Sequence, residues 1–357
     1  MVANSTARLF EDMLRLSRVS AHEKAVVLVP HIYNEQHLSA SITALSDIGT
    51  DFYTMILPPL AEQGRLVLPS SDSIYDALQG ADFILTLDQS SYCSLAPPSF
   101  KLIYGSERGY KLLEKGTRSL SLMIPEPAMR RLWPTEAIVK RSYAGARILE
   151  KGEEIRLTSK AGTDLSMSKK NRKGSCQVGI ADEPGRWDNF GFGSVATAPL
   201  EDSAKGTLVL EPGDYIVTLE TMVTDAVKCT LKDGRITKIE GGVSATLIRK
   251  YLEYFKDPEA CGTSHIGWGT HDQACWSPPG GAVADEVLGY VMDRYNYYGA
   301  IAIAFGWNLL RSPAKHCGLH GGRGGNAHLD IELLNHDLYL DDQLICSAGQ
   351  IVNPECK

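Results

Sequence analysis

Two residues near the C-terminus, His328 and Asp330, have the types and the spacing of metal ligands. They follow a glycine-rich stretch and begin a run in which apolar residues alternate, as they do in a half-buried strand. Successive side chains of a strand point to opposite faces, so residues two apart project from the same face, with Cα atoms roughly 7 Å apart. One metal ion could therefore bind both side chains.

A third ligand is needed to hold a divalent cation firmly, and His265 is the best candidate. Glycines flank its segment and allow close backbone approach. Two imidazoles and one carboxylate with open coordination positions form the facial triad of oxygen-activating, non-haem Fe(II) enzymes. The same ligands could also accept Zn(II) or Mn(II), and His328 and Asp330 could instead be a core histidine and a turn acid.

The composition is that of an ordinary globular protein, since 43% of the 357 residues are hydrophobic. The net charge of -7 and the scattered basic residues give no electrostatic footprint for nucleic acid, and we interpret the basic cluster at 169–173 as a solvated loop. No run approaches the roughly 18 apolar residues of a membrane span, and no secretion signal is evident. Eight cysteines without a C-x-x-C pair suit a reducing compartment. We expect a cytoplasmic homo-oligomer with a small-molecule substrate and neither nucleic-acid nor membrane partners.

The spacing of apolar residues divides the chain into two halves. In the first half helices at 4–17, 38–48, 74–78 and 135–150 alternate with strands at 25–29, 52–57, 83–87 and 118–124, which predicts a parallel sheet covered by helices. Beyond residue 152 short strands alternate with turns, with one helix at 245–255 and an apolar strand at 298–305. We predict an α/β N-terminal domain, residues 1–150, and a mainly β domain, residues 151–357, that carries the candidate ligands.

Several longer stretches carry the pattern of a known family. They are Ala-Asp-Glu-Pro-Gly-Arg-Trp-Asp at 181–188, Glu-Asp-Ser-Ala-Lys-Gly-Thr-Leu at 201–208, the histidine segment at 264–269, and His-Leu-Asp at 328–330 with Tyr-Leu-Asp-Asp at 339–342. Together they resemble the 2,5-dihydroxypyridine 5,6-dioxygenases, from residue 14 to the C-terminus. The resemblance implies a fold shared with M29-type metallo-aminopeptidases, and one Fe(II) that, with O2 as co-substrate, opens a hydroxylated pyridine or related aromatic ring. It also implies that His265, His328 and Asp330 are the metal ligands.

A metal-dependent hydrolase or aminopeptidase of the same fold is the alternative function. Its two-metal site needs glutamates for the second ion. The first glutamate lies in a Gly-Gly-Glu-Val segment of the aminopeptidases, which resembles residues 192–195 here, with Ser194 in place of the acid. The second acid is expected at 241–247, and that stretch contains none. A catalytically silent relative, the other alternative, would hold no metal tightly.

The residues expected around the substrate depart from the family pattern. The resemblance implies a histidine after the third strand, but this chain has Asp-Gln-Ser-Ser-Tyr at 88–92, and Gln177 stands where a glutamate is expected. These changes leave the metal ligands intact and predict a related but different substrate. Arg186 could clamp a substrate oxygen bidentately or form an ion pair with Asp182 or Asp188. The predicted substrate-binding residues are Gln177, Arg186, Arg294 and Tyr92.

Proton transfer near neutral pH is usually carried out by imidazole. His271 and His320 are the histidines near the ligands in sequence, and His320 lies in a glycine-rich loop that could close over the site. Tyr298 could hydrogen-bond a phenolic oxygen or pack in the core. His271 could instead be a surface residue, and His320 could belong to the zinc-like pattern His316-Cys317-x-x-His320, which has no fourth ligand nearby. The predicted catalytic residues are His271, His320 and Tyr298.

Overall fold

A computed structural model describes residues 2–30, 33–57, 72–87, 107–277, 292–308, 325 and 327–357. Within these residues, the first half contains six helices that alternate with four strands. The helices are α1 (Val2–Leu16), α2 (Glu35–Ile48), α3 (Asp72–Leu78), α4 (Glu107–Glu114), α5 (Glu126–Arg131) and α6 (Glu136–Lys151), and the strands are β1 (Lys24–Val29), β2 (Asp51–Ile56), β3 (Phe83–Leu87) and β4 (Arg118–Leu122). The predicted helices and strands of this half are confirmed to within a few residues.

The described part of the second half consists mainly of short strands and contains one further long helix, α7 (Val243–Tyr254). The strands are β5 (Glu154–Thr158), β6 (Asp164–Ser168), β7 (Ser175–Gln177), β8 (Trp187–Asn189), β9 (Ser194–Thr197), β10 (Lys205–Leu210), β11 (Tyr215–Ile216), β12 (Thr221–Met222), β13 (Val227–Lys232), β14 (Arg235–Gly241), β15 (Thr263–Gly269), β16 (Ile301–Gly306), β17 (His328–Leu333), β18 (Asp337–Leu340), β19 (Gln343–Ser347) and β20 (Gln350–Ile351). A hairpin turn joins β13 to β14, where Asp233 and Gly234 both have positive φ.

The first sheet has the strand order β2-β1-β3-β4-β8, and all its pairs are parallel. Every residue of β3 and β4 is buried, as expected for a parallel sheet that is covered on both faces. Its last strand, β8, comes from the second half of the chain. The division at residue 150 stays a prediction, and the structure shows that a strand from beyond it completes the first sheet.

The other strands of the second half form two antiparallel sheets. Their strand orders are β14-β13-β10-β6-β5-β18-β19-β20 and β12-β11-β17-β16-β15-β9-β7. In β17 the apolar residues Leu329, Ile331 and Leu333 belong to the core of this half. The residues between them, at 328, 330 and 332, therefore project from the opposite face of the seven-stranded sheet. This face carries the candidate site.

One lysine of the predicted solvated cluster is buried. Lys169 is 1% exposed, and its Nζ donates a hydrogen bond to the carbonyl oxygen of Gly152 at 2.6 Å. Gly152 directly follows α6, where helix carbonyls lack partners within the helix, so the ammonium group caps the helix end.

None of the described helices combines the length and the apolar character needed to cross a bilayer.

Candidate metal centre

Three side chains converge on one point: those of His265, His328 and Asp330. Each offers one ligand atom, and these atoms all lie within 4.8 Å of one another. Nε2 of His265 lies 3.4 Å from Oδ1 of Asp330, and Nε2 of His328 lies 3.2 Å from the same oxygen. Among the described residues this is the only cluster of three such groups with the spacing of a metal site. The structure thus brings together the three ligands predicted from the sequence.

The register of three antiparallel strands explains this convergence. Ala304 of β16 pairs with Asp330 of β17, and Gly306 pairs with His328. On the other side of β16, Ile266 pairs with Ile303 after a register irregularity, so that His265 comes next to Ala304. The three candidate ligands therefore lie around Ala304 and Gly306, whose side chains are only a methyl group and a hydrogen atom. This leaves room above the sheet for an ion.

Two candidate ligand atoms lack hydrogen-bond partners within the described part of the chain, which indicates that a metal ion fits between them. Nε2 of His265 and Oδ1 of Asp330 are buried and have no hydrogen-bond partner among the described residues. Buried polar atoms are nearly always satisfied, because an unsatisfied one costs about 1–3 kcal/mol. A cation that accepts a lone pair from each atom would supply the missing interactions. An imidazole nitrogen and a carboxylate oxygen are also ordinary ligands of divalent transition metals.

The protonation states of these ligands suit metal binding. Burial lowers the pKa of His265 to about 4, although the neighbouring Asp330 opposes the shift. Burial acts to raise the pKa of Asp330, but the two imidazoles outweigh it and hold this pKa below its usual range. At neutral pH His265 is therefore neutral and Asp330 ionised, which are the forms that bind metals.

A second layer of hydrogen bonds holds the strand that carries two of the ligands. Nδ1 of His328 lies 2.6 Å from the carbonyl oxygen of Trp307, which orients the ring and directs Nε2 towards the cluster. The Thr218 hydroxyl donates to the carbonyl of His328 at 3.1 Å and accepts from the amide of Asp330 at 2.8 Å. The Tyr251 hydroxyl donates to the same carbonyl at 2.8 Å. No sequence pattern marks Thr218 or Tyr251, since only tertiary contacts bring them to β17.

Two of the predicted catalytic residues lie away from this cluster. His271 follows the far end of β15, six residues and up to ~20 Å of extended chain from His265. It is buried, which lowers its pKa to about 4, and its Nδ1 accepts a hydrogen bond from the amide of Gln273. The Tyr298 ring lies 4.8 Å beneath the Arg141 guanidinium. The structure does not join either residue to the metal cluster, and their catalytic roles stay predictions.

Arg186 lies in a buried ion pair. Its Nη2 is 2.9 Å from Oδ2 of Asp188, both side chains are fully buried, and its Nη1 also donates to the Tyr143 hydroxyl. Asp188 accepts further hydrogen bonds from the amides of Val178 and Gly179. The geometry matches the ion-pair alternative, and a role in substrate binding stays a prediction.

The remaining substrate-binding candidates lie in different surroundings. Gln177 is half-buried at the end of β7, where it pairs with Ser194. The guanidinium of Arg294 stacks over the Tyr215 ring at 3.9 Å, and its Nε donates to the carbonyl of Trp276. Tyr92, His320 and the His316-Cys317 pattern lie outside the described residues.

Glu332 is a polar residue on the ligand-bearing face that the sequence analysis passed over. It is fully buried, and neither carboxyl oxygen has a hydrogen-bond partner among the described residues. Burial, together with the Asp330 charge, raises the pKa of Glu332 well above its usual range. The signal was present in the sequence, because residue 332 continues the two-residue spacing of His328 and Asp330.

Comparisons with known proteins identify the family of this chain. Residues 5–353 match the family described as 2,5-dihydroxypyridine 5,6-dioxygenase. The 2,5-dihydroxypyridine 5,6-dioxygenase of Pseudomonas putida is 33% identical over 359 residues, which cover 98% of this chain and 96% of the relative.

Solved structures show the same relationship. The structure of the Pseudomonas putida 2,5-dihydroxypyridine dioxygenase aligns with a TM-score of 0.84 at 30% identity and covers 99% of each chain. AmpT from Thermus thermophilus aligns with a TM-score of 0.65 at 15% identity, over 98% of this chain and 99% of that one, a likeness in fold alone. The predicted fold, shared with the M29 aminopeptidases, is confirmed. The chain belongs to the 2,5-dihydroxypyridine 5,6-dioxygenase family.

Proposed function

We propose that this protein is a ring-cleaving dioxygenase that uses one Fe(II) ion and O2 to open 2,5-dihydroxypyridine or a related hydroxylated N-heterocycle. The observation that carries the proposal is the convergence of two histidines and one aspartate whose facing atoms include two without partners. Family membership supports the reaction and the substrate class.

The three ligands would hold the ion from one side. A facial arrangement of this kind leaves coordination positions for a substrate oxygen and for O2. When bound, Fe(II) supplies the redox chemistry that lets O2 react with an aromatic ring, which no amino-acid side chain provides. The contribution of the chain itself is ligation, orientation and control of protonation.

The described residues support each of these contributions. Burial keeps His265 neutral at the pH of the reaction. The hydrogen bonds from Thr218 and Tyr251 hold the backbone of His328 in place, so the ligand geometry is largely set before an ion binds. Ala302 and Ala304, both buried on the ligand-bearing face of β16, present only methyl groups to an approaching flat ring.

Oxygen uptake tests the proposal directly. Protein purified anaerobically and loaded with Fe(II) is mixed with 2,5-dihydroxypyridine and, separately, with a panel of hydroxylated pyridines and catechols, while the Zn(II)-loaded protein serves as the control. We expect stoichiometric O2 uptake with loss of the ring absorbance for at least one pyridine, only with iron, at one ion per chain.

Three variants locate the activity. His265→Ala and Asp330→Asn should lose both metal and O2 uptake, whereas His22→Ala, which removes an exposed histidine, should keep both. Absence of O2 uptake across the panel by iron-loaded protein would refute the proposal. Two ions per chain together with peptide cleavage would instead identify a hydrolase.

A further inference from the structure

Glu332 presents a feature that metal binding does not explain. Its side chain is fully buried, yet both carboxyl oxygens lack hydrogen-bond partners among the described residues. It is not a member of the metal cluster. Burying a carboxyl group without hydrogen bonds is costly, so this acid does not stabilise the fold. A buried carboxyl group without hydrogen-bond partners is typical of a ligand-binding site.

The position of Glu332 relative to the metal cluster is set by strand geometry. Residues 330 and 332 project from the same face of β17, with Cα atoms ~7 Å apart. That separation is close to the width of one six-membered ring with its substituents. A ring attached to the metal by one oxygen could therefore place its opposite edge beside Glu332.

The surface between the two sites is free of large side chains on β16. Ala304 pairs with Asp330 and Ala302 pairs with Glu332, so that two methyl groups lie next to the two acids. On the other side of Glu332, Tyr215 of β11 is its cross-strand partner. Directly paired residues project from the same face, so the Tyr215 ring bounds the space beyond the carboxyl group.

We propose that Glu332 is a positioning residue for substrate. Its carboxyl oxygen accepts a hydrogen bond from the ring N–H, or from the hydroxyl beside it, on the edge of the hydroxypyridine opposite the metal-bound oxygen. This inference rests on the proposed function and adds a specificity determinant to it. The site then selects rings that carry a hydrogen-bond donor at that edge, because a ring without one leaves the buried carboxyl group unpaired.

Binding measured without O2 tests this role separately from turnover. The dissociation constants of 2,5-dihydroxypyridine and of phenol, which has one hydroxyl and no donor at the opposite edge, are measured anaerobically with metal-loaded protein. The variants are Glu332→Met, which keeps the length and removes the acceptor, and Glu332→Gln, which keeps an acceptor oxygen. Glu154→Met, at an exposed strand position, is the matched control.

We expect Glu332→Met to bind 2,5-dihydroxypyridine at least about tenfold more weakly, since one hydrogen bond to a carboxyl group is worth about that factor. Glu332→Gln should recover most of the affinity, and phenol should bind Glu332→Met as well as, or better than, the unaltered protein. Metal content should be unchanged in all variants. The unfolding temperature of Glu332→Met should be equal or higher, because an unpaired buried acid has been removed.

Three results would overturn the inference: equal affinity of Glu332→Met and the unaltered protein for 2,5-dihydroxypyridine, equal weakening for phenol, or loss of metal from Glu332→Met. Failure of the proposed function appears differently. In that case the ring binds anaerobically and depends on Glu332, but iron-loaded protein takes up no O2. If the unaltered protein binds no hydroxypyridine at all, both ideas are wrong.

Discussion

The hydroxyl of Thr218 is expected to tune metal affinity without touching the metal. Replacing it by valine keeps the shape of the side chain and removes two hydrogen bonds, at 3.1 Å to the carbonyl of His328 and at 2.8 Å from the amide of Asp330. The carbonyl keeps its bond from Tyr251, whereas the buried amide of Asp330 is left unpaired. The unfolding free energy of the metal-free protein should therefore fall by about 1–3 kcal/mol, the cost of one unsatisfied buried donor.

The effect on metal binding follows from the same contacts. With its backbone released, Asp330 samples orientations that do not face the histidines, and the metal dissociation constant should rise about 10–100-fold, as for other residues that support metal ligands. Zn(II) titration against a competing chelator measures the affinity, and urea unfolding measures the stability. Thr237→Val is the matched control, since the Thr237 hydroxyl is exposed and bonds only the carbonyl of Thr230. Unchanged metal affinity in a destabilised Thr218→Val protein would refute the argument that these bonds align the ligands.

Three further predictions concern the fold around the site. Arg186→Met should lower the unfolding free energy by about 3 kcal/mol, because it leaves the Asp188 carboxylate buried without its cation. If urea unfolding instead shows unchanged stability while substrate binding weakens, Arg186 is a substrate-binding residue. In the metal-free protein, His37, His265, His271 and His336, whose pKa is in each case lowered to about 4, should reduce the unfolding free energy as the pH drops from about 6.5 towards 4, since the unfolded chain takes up protons there that the buried imidazoles refuse. Buried acids with a raised pKa, among them Asp214 and Glu332, act in the opposite sense, so the histidine contribution is measured as the difference between His336→Gln and the unaltered protein in urea titrations at pH 7.5, 6 and 5. His336→Gln should lose less stability between pH 7.5 and 5, and parallel profiles would contradict the reasoning. Gly306→Ala should lose both stability and metal affinity, because Gly306 has a positive φ and an added Cβ would lie 2.2 Å from the carbonyl oxygen of Ala327. Gly213→Ala is the control, since Gly213 also has a positive φ but has open space around an added Cβ. It should lose only the free energy that the strained backbone costs, and it should keep its metal affinity in the chelator titration.

The three candidate metal ligands could be identified from the sequence for two different reasons. His328 and Asp330 are visible locally, because residues two apart share a strand face and both types bind metals. His265 is not close to them in sequence, and residue type, flanking glycines and family resemblance indicated it. Glu332 has the same strand phase as the first pair and could have been found by the same rule.

Other parts of the site depend on tertiary structure that no local pattern reports. Thr218 and Tyr251 reach β17 through contacts between distant segments, and ordinary threonines and tyrosines carry no mark of this. Arg186 had two readings in the sequence, and its buried partner Asp188 became evident only in the fold. The parallel sheet was predictable from the alternation of helices and strands, except for β8, whose three residues are too few to show a period.

That short strand has a consequence for how the polypeptide is made. During synthesis the first four strands leave the ribosome well before Trp187–Asn189, so β4 remains an open edge until about residue 190 has emerged. Unpaired edges of this kind are prone to join other chains. A fragment cut at residue 150 should therefore aggregate, whereas one extended past Asn189 carries the strand that closes the edge, together with the Arg186 and Asp188 pair that stabilises it. For this chain the useful cutting point is thus set by sheet pairing and not by the change from α/β to β texture.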